Sequence, residues 1–241
     1  DGDGLDQPQQ RDGQGAGNQP APVAVHGLPG EVKGRQAGRN RPHHRYAARL
    51  QIERAESALA AFLDRYLDAG QVRMWKSWVE RTIEGSRRDG TTALVVNKLE
   101  GALTVYRAGK PLRSFSVGLG MNGFSDKLHS GDNATPEGLY KIIRKIPLSQ
   151  YYKALRINCP NDEDKARFER AKREGRLESG TGIGGMIEIH GGGQDSLTRG
   201  CVSLDNRHMD EVYALAGVGT PVTIIGTMEL ENYVIKAIRD N

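Results

Sequence analysis

Short apolar runs, each about as long as a β-strand and each followed by a turn signal, dominate the chain after Asp89. Three of them are rich in Val, Leu, Thr and Phe: Thr91 to Asn97, Ala102 to Arg107 and Leu112 to Gly118. Glycine-containing turns separate them, and this pattern predicts a β meander. Three later runs predict further strands, namely Leu139 to Ile146, Met186 to His190 and Pro221 to Ile225. We therefore expect a mainly β domain with mixed sheets and a few helices.

Helical spacing precedes this region. Between Tyr46 and Gly70 the large apolar residues fall at three- and four-residue steps, and Trp75 and Trp78 continue the spacing. This is the stripe of an amphipathic helix. We expect a small helical hairpin whose first helix stops at Gly70 and whose second ends near Gly85. Packing is a better interpretation of the two tryptophans than stacking on a sugar.

Two more helices are predicted inside the β-rich region. Asp162 to Arg176 places acids in its first turn and bases later, which suits the helix dipole. Because it is almost entirely charged, we interpret it as an exposed insertion. Asn206 to Ala216 is predicted to be a helix with Met209 and Val212 on its buried face.

The first 43 residues differ in composition from the rest, since Gly, Pro and Gln make up 20 of them. Such a stretch buries too little apolar surface to offset its ordering entropy. We expect a disordered leader at 1–43, either a flexible tether or a segment foreign to the native protein. Residues 44–89 then form the helical hairpin segment, 90–228 the β-rich domain and 229–241 a C-terminal tail, with a helix as one option.

The 241 residues and net charge of +4 exclude several classes of protein. No apolar run approaches the roughly 20 residues of a membrane-spanning helix, so we expect no stable membrane insertion. The positive charge is a weak bias towards polyanionic surroundings, and no nucleic-acid partner is predicted. The two cysteines form at most one disulfide and have no metal-binding spacing, so we expect no metal and no cofactor. The start of the chain has no signal-peptide pattern.

The densest chemical signal lies between Gly184 and Asn206. His190 ends a predicted strand before three glycines, and Cys201 follows eleven residues later, after Gly200. A thiol is mostly protonated at neutral pH, and a neighbouring imidazole activates it by accepting the proton. We expect the amides of Arg199, Gly200 and Cys201 to form an oxyanion hole. A lone Cys or His is more often a packing residue, but glycine clusters beside both favour a catalytic site.

These residues resemble the L,D-transpeptidase catalytic domain of the YkuD-like family. The likeness runs roughly from Thr92 to Gly226. It includes Thr135-Pro136-Glu137-Gly138 for the family's TPxG element, Ile189-His190-Gly191, Gly200-Cys201-Val202 and the closing Gly219 to Val222. No single element is specific, but their order and spacing agree throughout.

The resemblance implies roles for individual residues. Cys201 would be the acyl-accepting nucleophile, His190 its base and Gly191 the residue whose carbonyl orients the imidazole. The family more often has Ser-His before Gly-Cys, where this chain has Thr198 and Arg199. Ser203 also stands where an arginine is common. Recognition of a substrate carboxylate is therefore expected from Thr198, Arg199 or Arg207.

The same resemblance implies a segment near the site entrance, Leu148 to Gly182. It contains Tyr151 and Tyr152, for which packing and functional roles are equally open, and Cys159, which we interpret as a structural thiol. A sortase-like site is disfavoured because it needs a longer His-to-Cys gap. A papain-like site is disfavoured because there the cysteine precedes the histidine.

The expected activity is that of a cysteine-dependent L,D-transpeptidase acting on peptidoglycan stem peptides. Two alternatives remain open: an L,D-carboxypeptidase using the same site, and a catalytically silent cell-wall-binding module. The substrate implies the periplasm or the cell surface. The oligomeric state is left open.

Overall fold

The computed structural model describes residues 68–195 and 197–228. In chain order the elements are α1 (Ala69–Asp89), β1 (Thr92–Asn97), β2 (Ala102–Arg107), β3 (Lys110–Ser116), β4 (Gly138–Ser149), β5 (Tyr152–Ile157), α2 (Asp162–Arg173), β6 (Glu188–His190), β7 (Val202–Ser203), α3 (Asn206–Leu215) and β8 (Pro221–Ile225). The prediction of a mainly β domain preceded by a helix is confirmed. The predicted leader and C-terminal tail lie outside the described residues.

The strands of the described residues form one sheet in the order β3-β2-β1-β8-β4-β5-β6-β7. β1 runs parallel to β8 and β6 parallel to β7, and the other neighbours are antiparallel. The chain beyond β3 then reaches the opposite edge, where Gly118 and Ser203 exchange two backbone hydrogen bonds of 2.9 Å. The sheet therefore curls until the chain two residues beyond β3 meets the last residue of β7.

The core occupies both faces of the central strands. Leu94 and Val96 of β1 join the main cluster, together with Met209 and Val212 of α3, whereas Val95 points to the other face. Alternate residues on a strand point to opposite faces, so β1 is covered on both sides. This is why the whole of β1 is buried and reads as a continuous apolar run.

Helix α1 covers the second face. Trp75 is fully buried and packs in a cluster with Val79, Val95 and Ile225. The Thr82 hydroxyl lies 2.6 Å from that of Thr223 on β8. The interpretation of Trp75 as a packing residue is therefore confirmed.

The ends of α1 differ from those predicted at Gly70 and Gly85. The helix starts after Asp68, whose carboxylate accepts from the Gln71 amide at 2.7 Å, and it ends at Gly90 in the left-handed conformation. An internal glycine costs a helix only about 1 kcal/mol, which burial of the tryptophan face offsets. The first helix of the predicted hairpin falls outside the described residues, apart from its last positions.

The segment from Leu148 to Gly182 contains a strand, β5, that the sequence analysis does not predict, and its predicted helix is present as α2. β5 lies between β4 and β6 in the sheet, and its Leu155 and Ile157 are buried. α2 buries Phe168 and Ala171 despite its charge. Charged residues conceal β5 in the sequence, because Lys153 and Arg156 interrupt its apolar run.

Among the described residues, no helix has the length and apolar character required to cross a lipid bilayer.

Two glycine substitutions test the packing of α1 on the sheet. A Cβ at Gly226 would stand 2.3 Å from the Trp75 ring, so Gly226→Ala should destabilise the protein by about 1–3 kcal/mol. Gly85→Ala is the matched control, because its Cβ meets nothing within 4 Å and it removes a helix-interior glycine. It should stabilise by roughly 0.5–1 kcal/mol. Denaturant unfolding measures both, and equal effects at the two positions would contradict the packing.

Candidate active site

The parallel pairing of β6 and β7 brings His190 and Cys201 to one cleft. His190 is the last residue of β6, and Cys201 immediately precedes β7. Ile189 pairs with Val202, so Cys201 stands one step before the ladder begins, on the same face as His190. The cleft measures about 410 Å³. It is lined by Tyr151, His190, Gly191, Gly192, Leu197, Thr198, Arg199 and Cys201.

The imidazole of His190 is held on two sides. Its Nδ1 lies 2.6 Å from the carbonyl oxygen of Gly191, and the Tyr151 ring stacks on it with centroids 4.5 Å apart and planes at 26°. A carbonyl oxygen only accepts, so Nδ1 must carry the proton of this bond. In the neutral ring Nε2 is then the nitrogen with a free lone pair, the state that a general base requires.

The glycine-rich loop after His190 is anchored to α3. The Gly192 amide donates to Asn206 Oδ1 at 2.8 Å, and the Gly193 amide donates to the Leu204 carbonyl at 3.0 Å. A Cβ at Gly191 would lie 2.7 Å from the same Asn206 oxygen. Asn206 is therefore an anchor of the loop that carries the His190 partner. The sequence analysis gives it only as a helix start, and no local pattern predicts its contact with a residue 14 positions earlier.

A side-chain bridge shapes the turn before Cys201. Thr198 Oγ1 donates to the Cys201 carbonyl at 2.7 Å and accepts from the Gly200 amide at 3.1 Å. The Gly200 amide is thus already engaged, which corrects the expectation of three free amides. The amides of Arg199 and Cys201 donate to no acceptor within residues 68–195 and 197–228. Two of the three predicted oxyanion donors therefore remain.

Gly200 is required for close packing of this turn. Its φ is +126°, and a Cβ there would stand 2.6 Å from the Ala134 carbonyl oxygen. Gly120 also leaves no room, because its Cβ would be 2.3 Å from the Asn133 oxygen and 3.0 Å from the Gly200 Cα. The turn therefore lies directly on the backbone around Ala134.

A buried ion pair holds the Thr135 to Gly138 segment in place. Lys98 Nζ lies 2.9 Å from Glu137 Oε1, 2.9 Å from the Thr135 carbonyl and 2.6 Å from the Ser125 carbonyl. Both charged side chains are almost fully buried. Thr135 Oγ1 in turn accepts from the Gly120 amide at 2.9 Å. The sequence reading of this element as a turn missed the lysine, which lies 37 residues earlier than Thr135.

The Cys201 thiol is half-buried at the wall of the cleft. Burial raises its pKa, and the charge of Glu188 raises it further, whereas a backbone hydrogen bond from Glu188 and the charges of Lys127 and Arg156 lower it. Within the described part of the chain, its sulfur forms no hydrogen bond with the imidazole. Catalytic hydrogen bonds are often long in unliganded sites and tighten when substrate binds.

The remaining predicted residues are distributed as follows. Arg199 lines the cleft and is exposed, whereas Arg207, the second residue of α3, is exposed but is not among the described lining residues. Ser203 is fully buried in β7. Cys159 is a buried free thiol before the cis peptide bond to Pro160, and burial raises its pKa.

Within the described ranges, no group of three or more His, Cys, Asp or Glu side chains is placed to hold a metal ion.

A family model of the YkuD L,D-transpeptidase catalytic domain matches residues 91–224. That range is more than half of the chain, and the chain belongs to this family. The resemblance inferred from the motifs is therefore confirmed.

Individual relatives match more distantly. The curated protein "Putative L,D-transpeptidase YafK" of Escherichia coli (strain K12) is 31% identical over 104 residues, which are 42% of this chain and 36% of that protein. The chain thus matches a minor part of this relative's length. Two solved structures are also similar: Bdellovibrio bacteriovorus Bd1075, with TM-score 0.42 and 21% identity over 63% of this chain and 57% of that one, and Mycobacterium tuberculosis L,D-transpeptidase 1, with TM-score 0.36 and 17% identity over 56% and 62%.

The two cysteines should differ in their reaction with iodoacetamide. Cys201 opens on the cleft and should accept one adduct, whereas buried Cys159 should stay unmodified in the folded protein. Because the pKa of Cys201 is raised, its reaction rate should still be rising at pH values above the ordinary thiol pKa of about 8.5.

Peptide mass spectrometry across a pH series measures this rate, with Cys201→Ala as the control that removes the adduct. A plateau reached below the ordinary thiol pKa would contradict the raised pKa, and an adduct at Cys159 would contradict its burial.

Proposed function

We propose that this protein is a cysteine-dependent L,D-transpeptidase that acts on peptidoglycan stem peptides. The observation that supports it best is the His190 imidazole, whose Nδ1 is bound by the Gly191 carbonyl at 2.6 Å in the cleft that Cys201 lines. The family to which the chain belongs consists of cell-wall enzymes. The periplasm or cell surface, where peptidoglycan lies, is part of the proposal.

The first half of the reaction forms a thioester. His190 Nε2 takes the thiol proton, and the Cys201 sulfur attacks the carbonyl carbon of an L,D peptide bond in the donor stem. The negative charge that develops on the carbonyl oxygen is stabilised by the amides of Arg199 and Cys201. The carbon–nitrogen bond then breaks, the imidazolium proton passes to the leaving nitrogen, and D-alanine departs.

The second half transfers the acyl group. An amine of a neighbouring stem attacks the thioester, His190 accepts the amine proton, and the thiol is restored. If water attacks instead, the product is a trimmed stem and the activity is that of an L,D-carboxypeptidase. Acceptor choice depends on how well the closed site excludes water.

A catalytically silent wall-binding module is the second candidate. The raised pKa of Cys201 favours it, because a protonated thiol is a weak nucleophile. Under this alternative the cleft would bind stem peptides without forming an acyl-enzyme.

Product analysis distinguishes these functions. With disaccharide-tetrapeptides as substrate, we expect cross-linked dimers, no product with Cys201→Ala, and a rate reduced about 10²–10⁴-fold with His190→Ala. Mass spectrometry of the products and of the protein measures both steps. Tripeptides alone would indicate the carboxypeptidase, and a folded wild type with neither product nor acyl adduct would replace the proposal with the binding module.

Arg199 is proposed to bind a carboxylate of the donor stem. It is the charged residue among the described lining of the cleft. Arg199→Gln should raise KM about tenfold, the loss of one charge-assisted hydrogen bond, with kcat changed little. Arg207→Gln should raise KM less, because its side chain is not part of that lining. Steady-state kinetics with both variants measures the effect. A larger rise in KM for Arg207→Gln than for Arg199→Gln would indicate that the carboxylate binds at α3 instead.

A further inference from the structure

An ion pair between side chains of two neighbouring β-strands lies beside Cys201. Arg156 of β5 and Glu188 of β6 are cross-strand partners. Arg156 Nε and Nη2 lie 3.0 and 2.7 Å from Glu188 Oε1, and the glutamate side chain is only 12% exposed. A carboxylate in such a place requires a partner, because an uncompensated buried charge is costly. Two donors of one planar guanidinium also fix its orientation.

The strand register brings this pair to the nucleophile. Because Ile189 pairs with Val202, the residues one step earlier, Glu188 and Cys201, stand level with each other. Level residues of neighbouring strands point to the same face, and His190 points there too, two residues further along β6. The glutamate therefore lies between the arginine on one side and the thiol on the other.

Charged and titratable groups reach the thiol or its cleft from several elements. They are Glu188 and His190 of β6, Arg156 of β5, Lys127 with its partner Asp132 in the segment before β4, and Arg199 in the turn before β7. Lys127 is bound by Asp132 at 2.8 Å, so its charge is already largely compensated. Glu188 is the carboxylate nearest in register to the sulfur, and Arg156 is its partner.

We propose that Arg156 is a positioning residue for Cys201: by holding the Glu188 carboxylate in a two-hydrogen-bond ion pair, it cancels a negative charge that would otherwise oppose formation of the thiolate. The inference rests on the proposed nucleophilic role of Cys201. When His190 takes the thiol proton, the new negative sulfur lies next to a neutral pair and not next to a lone carboxylate. Neither Arg156 nor Glu188 exchanges a proton with substrate in this scheme.

The test follows the pH dependence of Cys201 alkylation, which needs no peptidoglycan. The wild-type chain, Arg156→Gln, Glu188→Gln and the double variant are treated with iodoacetamide, and adducts at Cys201 are quantified by peptide mass spectrometry. Arg156→Gln should shift the pH midpoint upwards by about one unit, which is about tenfold slower labelling near neutral pH. Glu188→Gln should shift it downwards, because Arg156 then faces the thiol alone. The double variant should return to within about threefold of wild type.

Rescue in the double variant separates an electrostatic role from a merely structural one. If the pair served only as a scaffold, both single changes and the double change would slow labelling without opposite shifts of the midpoint, and this result would overturn the proposal. Arg156→Lys keeps the positive charge and should stay close to the wild-type midpoint. Arg113→Gln, which removes an arginine from an exposed pair with Glu211, is the charge-matched control and should leave the midpoint unchanged.

Thermal unfolding verifies that each variant is folded. If Arg156→Gln does not fold, Glu188→Gln decides alone: a lowered midpoint supports the proposal, and an unchanged or raised midpoint overturns it. Failure of the proposed function has a different signature. If tetrapeptides give no products but the midpoints shift in opposite directions as predicted, the proposed transpeptidase activity is wrong. The electrostatic role of Arg156 is then still supported.

Discussion

The buried ammonium group of Lys98 is the constraint on which the geometry of the site depends. Its charge is matched by Glu137, and the carbonyls of Thr135 and Ser125 accept from the same nitrogen. Removing one partner of such a buried pair typically lowers the free energy of unfolding by about 3–5 kcal/mol. The backbone from Thr135 to Glu137, which this pair holds, therefore has little freedom to move. The turn before Cys201 packs through Gly200 on Ala134, the residue before Thr135, and the Cys201 backbone therefore has a rigid support.

Each chemical group of the site is held by a different part of the fold. A strand end presents His190, a loop bound by Asn206 orients the Gly191 carbonyl, and a threonine bridge shapes the turn of Cys201. Independent supports of this kind keep reacting groups in place without ligand. They do not by themselves make the thiol reactive, since burial raises its pKa. In the proposed mechanism, activation of the thiol falls to the imidazole and to the charges on the strands beside the sulfur.

Local sequence patterns predicted the strands well where apolar residues dominate a short run. β2 and β8 begin and end at the predicted residues, and β1 differs by one, because their apolar runs are bounded by turns that leave little choice of register. β5 was missed, since Lys153 and Arg156 interrupt its apolar run and a long polar stretch follows. The end of α1 was misplaced at Gly85 because the packing of Trp75 on the sheet, which no local pattern reveals, carries the helix past that glycine.

The sequence by itself determined the class of fold, the family and the pair of residues in the proposed mechanism, since all three follow from short motifs and their order. It also placed Gly191 and the turn glycine beside that pair. Only the tertiary structure decided that Tyr151 stacks on the imidazole, and that Lys98 and Arg156 meet carboxylates 39 and 32 residues away. The physical reason is that these contacts are made across the curled sheet, where strand order and register, and not distance along the chain, determine which side chains become neighbours.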